Sequence, residues 1–256
     1  MVDLREFASS GEFFVVAHRG ASKEAPENTL SAFERALQIG AKMIEADVQV
    51  SADGTIFAHH DDVAGRTNDG RGAVTSLNYS DIKKFDAGGW FSPEFSGERP
   101  PTLKEIIELI KGRAYLNIEV KPSKYSERLI SALLDVVERE GFARNCLFAS
   151  FDCALLKEIK SRNSALHTAA IKSPADKRLP GEIAQQTGAD AFICDVEELT
   201  EAISENAVKN SVIIGVYGVE TLGSLEKSIR LRAQALGTDD PRRIFRMLEK
   251  LGIKSA

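Results

Sequence analysis

Short apolar runs alternate with amphipathic stretches along most of this chain. Phe13–Ala17 (FFVVA) is wholly apolar, as expected of a strand buried on both faces in a parallel sheet. Leu30–Ile39 carries Phe33, Ala36 and Leu37 at helical spacing, with Asn28 or Thr29 as its cap and Gly40 as its terminator. Met43–Val50 (MIEADVQV) has a period of two, and Asp53-Gly54 then turns the chain into a short run, Thr55–Ala58. Thr102 with Glu105 is a capping box opening a helix over Leu103–Lys111. Tyr115–Lys121 (YLNIEVK) reads as the third long strand. A regular alternation follows. Helices are expected at Tyr125–Glu140, Ala154–Lys160, Pro180–Thr187, Glu198–Val208, Leu222–Arg232 and Pro241–Leu251, and strands at Cys146–Ser150, Leu166–Ile171, Asp190–Cys194, Ser211–Tyr217 and Gln234–Thr238.

Eight strands, nearly all followed by helices, predict a (β/α)₈ TIM barrel, with a doubly wound open sheet as the alternative. The 256 residues suit one barrel domain over 1–256. The exception to the alternation is about 62–101, rich in Gly and Pro, with one short helix expected at Tyr79–Phe85 and the aromatic pair Trp90-Phe91. A segment of that length reads as a small insertion lying over a site, not as a linker.

The strand periods bring in the chemistry. Alternation puts Glu45, Asp47 and Gln49 on one face of their strand, and Tyr115, Asn117, Glu119 and Lys121 on one face of theirs. Carboxylates inside apolar runs are costly unless compensated. A barrel gathers strand ends at one mouth, so His18, Glu45, Asp47, Glu119, Lys121, Ser150 and Tyr217 are expected to meet there. Three acids without a Cys or an H-x-H ligand pattern suit Mg²⁺ or Ca²⁺ better than zinc. His18 and one of His59 and His60 are candidates for proton transfer, and Arg19 and Lys121 for phosphate contact. A Walker-type loop is missing, which argues against a nucleoside-triphosphate site.

Charge and composition narrow the class. A net charge of −5 argues against a general nucleic-acid binder. The three cysteines lack metal-type spacing, and Cys146 and Cys194 lie in apolar runs, as buried small hydrophobes do. The first twenty residues lack a basic start followed by a long apolar stretch, and no run approaches a membrane span. A cytoplasmic enzyme with no membrane span is the expectation, with a homo-oligomer left open.

In order along the chain stand H-R-G (His18–Gly20), P-E-N-T (Pro26–Thr29), E-A-D-V (Glu45–Val48), H-D (His60-Asp61, six residues after Gly54), R-T-N-D-G (Arg66–Gly70), P-T-L (Pro101–Leu103), N-I-E-V-K (Asn117–Lys121), S-F-D (Ser150–Asp152) and T-D-D-P (Thr238–Pro241). This ordered set resembles the glycerophosphodiester phosphodiesterases. The resemblance implies a barrel with a small insertion after the second strand, and hydrolysis of a small-molecule glycerophosphodiester to sn-glycerol 3-phosphate and an alcohol. It implies one divalent cation on Glu45, Asp47 and Glu119, His18 and His60 as the acid–base pair, and Arg19 and Lys121 on the phosphate. It also selects His60 over His59, which is then structural or a support behind the residues that touch substrate. The glycerol 2-hydroxyl would be the nucleophile, by way of a cyclic phosphate. Members usually show Trp in the seventh strand; here Tyr217 stands in V-Y-G-V-E, so the aromatic wall on the alcohol side has a different shape. Two other readings compete: a barrel that only binds phosphorylated ligands, for which an acid–base pair is superfluous, and a sphingomyelinase D-like lipase, which would carry an export signal and usually a disulfide-bearing loop.

Overall fold

The computed structural model describes residues 13–122 and 126–254. Residues 1–12, part of the stretch read above as lacking a signal peptide, and Tyr125, read above as the start of a helix, lie outside the described residues. The strands are β1 (Phe14–Ala17), β2 (Met43–Val50), β3 (Ile56–Ala58), β4 (Tyr115–Val120), β5 (Cys146–Ser150), β6 (His167–Ile171), β7 (Ala191–Asp195), β8 (Ile213–Tyr217) and β9 (Ala235–Thr238). All but β3 pair in parallel, and the β1–β2 pairing closes the sheet into an eight-stranded barrel. β3 hairpins back antiparallel on β2. The helices are α1 (Leu30–Ile39), α2 (Tyr79–Ile82), α3 (Leu103–Ile110), α4 (Ser126–Arg139), α5 (Cys153–Arg162), α6 (Pro180–Thr187), α7 (Glu201–Lys209), α8 (Leu222–Arg230) and α9 (Pro241–Lys250). This is the TIM-barrel architecture, and the open-sheet alternative falls.

Register decides which side chains enter the barrel. Glu45 pairs with Asn117, Asp47 with Glu119, Leu147 with His167, Ala169 with Ala191 and Ile193 with Gly215. In β1 the even-numbered Phe14 and Val16 face the barrel axis, and in β2 and β4 to β9 the odd-numbered residues do. Their even neighbours Ile44, Ala46, Val48, Leu116, Ile118 and Val120 pack outward with Phe33, Ile106 and Ile107 of the surrounding helices. A second outer layer joins Cys194, Ile214, Val216 and Leu236 to Ile203, Leu225 and Ile244. Cys146 and Cys194 are buried free thiols, as their apolar contexts predicted.

Helix starts follow their caps. Thr29, not Asn28, caps α1, and Thr102 with Glu105 forms the expected capping box on α3. α7 begins at Glu201, later than the sequence suggested, because Asp195 caps a short 3₁₀ turn at Val196–Glu198 and Thr200 caps the helix proper. Between β3 and α3 the chain forms α2, 3₁₀ turns at Val74–Ser76 and Pro93–Phe95, and a small apolar cluster of Phe57, Ala64, Val74 and Ile82. No helix among the described residues is long and apolar enough to cross a membrane.

Candidate active site

The site is built at the carboxyl ends of β1, β2 and β4. The H-R-G turn after β1 holds Arg19 at φ 57° and Gly20 at φ 85°, which swings the Arg19 amide toward β2, where it donates to Glu45 Oε2 at 2.7 Å. Gly20 lies so close to α1 that an added Cβ would stand 2.6 Å from the Ala32 carbonyl carbon. Positive φ and this close approach both demand glycine. Gly20→Ala is expected to cost about 2–4 kcal/mol of stability; an unchanged denaturant midpoint would refute the packing argument.

Glu45, Asp47 and Glu119 meet as the alternation predicted, with one carboxylate oxygen from each within 4.8 Å of the others. Asp47 is fully buried. Asn28, itself at φ 58°, brackets it by donating from Nδ2 to Asp47 Oδ2 at 2.8 Å and accepting from the Asp47 amide at 3.2 Å. Arg19 Nε lies 3.1 Å from Asp47 Oδ2, and Lys121 Nζ lies 2.8 Å from Asp47 Oδ1 and also contacts Glu119. Burial works against the Asp47 charge, but Lys121 and Arg19 outweigh it and hold the carboxyl below the usual range. Glu45 has no such partner. Burial and the neighbouring Asp47 charge push it up to about 8. Its Oε1 is buried without a hydrogen-bond partner among the described residues. An orphaned buried carboxylate oxygen in an all-oxygen cluster is the environment that a hard divalent cation relieves. The residues fit such an ion.

Each histidine of the expected pair has its own carboxylate. His18 Nδ1 lies 2.7 Å from Asp239 Oδ1, and His60 Nδ1 lies 2.6 Å from Asp61 Oδ1. An anion at Nδ1 keeps the proton there and leaves Nε2 as the exchanging atom. Burial opposes charge on His18, yet the Asp239 hydrogen bond and the Glu45 charge prevail and raise it to about 9. His60 is close enough for its charge to act on Asp47. His59 points elsewhere: its ring stacks on Phe57 with centroids 6.4 Å apart, and burial lowers its pKa.

Glu27 ties the rim together, accepting from Arg19 Nη1 at 2.7 Å and from Arg66 Nη2 at 2.8 Å, while Arg66 Nε donates to Asp61 Oδ2 at 2.6 Å. Asn28, Glu27, Asp61 and Asp239 were not among the site residues assigned from sequence. The P-E-N-T, H-D and T-D-D-P matches were the signal available. Two expectations need correction. Ser150 does not enter the mouth; its even register turns it away, and its hydroxyl donates to the Val120 carbonyl at 2.8 Å. Phe151 lines the cavity instead, as does Tyr217. The 62–101 segment contributes none of the residues named around that cavity and reaches the site through Arg66 at the rim.

Residues 18–243 match the model of the glycerophosphoryl diester phosphodiesterase family. The chain belongs to that family. It is an enzyme, a phosphodiesterase of the glycerophosphodiester class. It is 33% identical over 249 residues to the glycerophosphodiester phosphodiesterase of Caldanaerobacter subterraneus subsp. tengcongensis, covering 93% of this chain and 98% of that protein. A phosphodiesterase from Oleispira antarctica, solved with the product sn-glycerol-3-phosphate, superposes with a TM-score of 0.88 at 28% identity, covering 94% of this chain and 99% of the other. The glycerophosphodiester phosphodiesterase of Agrobacterium tumefaciens gives 0.80 at 29% identity, with 90% and 97% covered.

Proposed function

We propose that this phosphodiesterase releases sn-glycerol 3-phosphate and an alcohol through histidine acid–base catalysis, assisted by one divalent cation, Mg²⁺ or Ca²⁺, on Glu45, Asp47 and Glu119. The observation that carries the reading is the partnerless Glu45 oxygen inside a cluster of three carboxylates. A cation held there supplies positive charge for the phosphate and glycerol oxygens.

The chain's own groups do the rest. Arg19 and Lys121, both against Asp47, set cationic nitrogens beside the same place and favour the anionic phosphate. One histidine takes the proton of the glycerol 2-hydroxyl. That oxygen bonds to phosphorus as the bond from phosphorus to the alcohol oxygen breaks, and the other histidine gives the departing oxygen its proton. The same pair, with roles exchanged, then activates the water that opens the cyclic phosphate. Asp61 and Asp239 keep the two rings aimed and in one tautomer. Tyr217 walls the alcohol side. The product bound to the Oleispira antarctica protein supports glycerol 3-phosphate as the product here. The geometry favours catalysis over binding alone, since two carboxylate-oriented imidazoles add nothing to phosphate capture.

The test is hydrolysis of glycerophosphocholine by protein treated with EDTA and then reloaded. Chelation is expected to reduce turnover by at least about 10²-fold, and Mg²⁺ or Ca²⁺ to restore it. Undiminished turnover in excess chelator would overturn the metal assignment.

A further inference from the structure

TIM barrels ordinarily fill their axis with layers of bulky branched side chains. Here the inward odd positions include Ala191, Gly215, Ala235 and Gly237. The space they release is a cavity of about 290 Å³. It begins at the catalytic mouth, beside His18, Glu45 and Glu119, and continues to Phe14, Met43 and Ile213 at the opposite ends of their strands. The walls divide by chemistry. Charge is concentrated at the mouth on the side of β1, β2 and β4, while Leu147, Ile171, Ile193 and Ile213 give an aliphatic wall on the side of β5 to β8. Phe151 stands at the rim and is 41% exposed, a large aromatic surface left open at the entrance.

We propose that this axial shaft is a binding site for an unbranched aliphatic chain, carried by the alcohol that the phosphodiesterase releases. The inference rests on the proposed function for where the phosphate sits. Its dimensions support it. The four residue steps from Phe14 to His18 span about 11 Å along the axis at the strand rise and tilt of such barrels. With about 290 Å³ along its course, the shaft is wide enough to admit an extended chain. Carbon–carbon bonds of about 1.5 Å in a zigzag advance about 1.3 Å per methylene, so some eight methylenes fit the length. A choline or glycerol head in the middle of the shaft would lose its hydration without gaining a partner. At the far pole the lining turns polar again at His167, Asp190 and Gln234, and Asp190 is already engaged by Lys160 Nζ at 2.7 Å. That polar floor sets the length limit.

The test uses metal-loaded enzyme and a series of sn-glycerol-3-phospho-n-alkanols from ethyl to dodecyl. The ratio kcat/KM is expected to rise by up to about fourfold per methylene and to level off near eight carbons. Ala191→Leu, which puts a larger side chain into the shaft wall, should collapse the octyl-to-ethyl ratio by at least tenfold. Gly215→Ala is the milder variant: its Cβ would stand 3.1 Å from Ile193 Cγ1 on the same wall, and it should lower the ratio severalfold. A flat chain-length profile in the unmodified enzyme, or variants that keep its profile, would overturn the shaft as a chain site and leave the phosphodiesterase reading standing. Absence of turnover for every ester, ethyl included, with metal present would sink both.

Discussion

His18→Ala and His60→Ala are each expected to lower turnover of a glycerophosphodiester by roughly 10²–10⁴-fold, while the far-ultraviolet spectrum and the denaturant midpoint stay near those of the unmodified protein. Each ring is partly exposed at the mouth, with side-chain exposures of 34% and 33%, so truncation removes little packed core. The rings come from two different strand ends, after β1 and after β3, and each meets an aspartate at Nδ1. The arrangement therefore predicts a graded pattern. Asp239→Asn and Asp61→Asn should cost less than their histidines, because an amide still fills the place but can present its donor to the ring and stabilise the wrong tautomer. Asp239→Asn should also shift the alkaline limb of the pH–rate profile, since Asp239 is the foremost of the influences that raise His18. Near-normal turnover in both alanine variants would remove the acid–base assignment. An unaltered pH profile in Asp239→Asn would remove the orienting role of that carboxylate.

Much of this was legible in the sequence because the barrel turns a linear alternation directly into a place. Once Glu45, Asp47 and Glu119 are on inward strand positions, closure of the sheet must bring them together, and register puts Asp47 opposite Glu119. Phe151 and Ser150 mark where this reading stopped. The sequence offers both at a strand end, and only the register of β5 against β6, Leu147 with His167, shows that odd positions face inward there. Asn28 marks another limit. Its residue type suits a helix cap equally well, and nothing local says that it leaves that task to Thr29 and adopts a left-handed backbone to bracket a carboxylate 19 positions away. Asp239 pairs with His18 across 221 residues, a contact that requires the ninth strand to return beside the first. The axial shaft depends on several small residues from different strands sharing one interior, and no single segment carries that pattern.

Replacing Glu45 with Gln should stabilise the protein in chelator and disable it in metal. In the absence of a cation the Glu45 carboxyl keeps its proton up to about 8, whereas in the unfolded chain it ionises in the ordinary range near 4.5. Between those values the folded state binds the extra proton, so stability must fall as pH rises through that window. His18 adds a decline of the same sign, but only from its ordinary value near 6.5 up to about 9. Asp47 acts the other way and lower down, its contribution being present above its ordinary value and lost only in acid. The range from pH 5 to 6.5 thus lies clear of His18; His59, held below its ordinary value by burial, opposes Glu45 there, so Glu45 is read from the difference between the unmodified protein and Glu45→Gln. There the melting temperature of the metal-free unmodified protein should drop steadily relative to that of Glu45→Gln as pH rises. At pH 7.5 in EDTA the variant should melt about 3–6 °C higher, the scale of one to two kcal/mol in a chain of this size. Adding Mg²⁺ or Ca²⁺ should reverse the order. The unmodified protein gains stability as the ion displaces the Glu45 proton, by about 2.7 kcal/mol at a hundredfold excess over Kd, and the variant, short of one anionic ligand, gains little and hydrolyses its substrate at least about 10²-fold more slowly. If Glu45→Gln were instead less stable than the unmodified protein in chelator, Glu45 would be held by a partner other than a cation, and the three carboxylates would have to be read as a structural cluster.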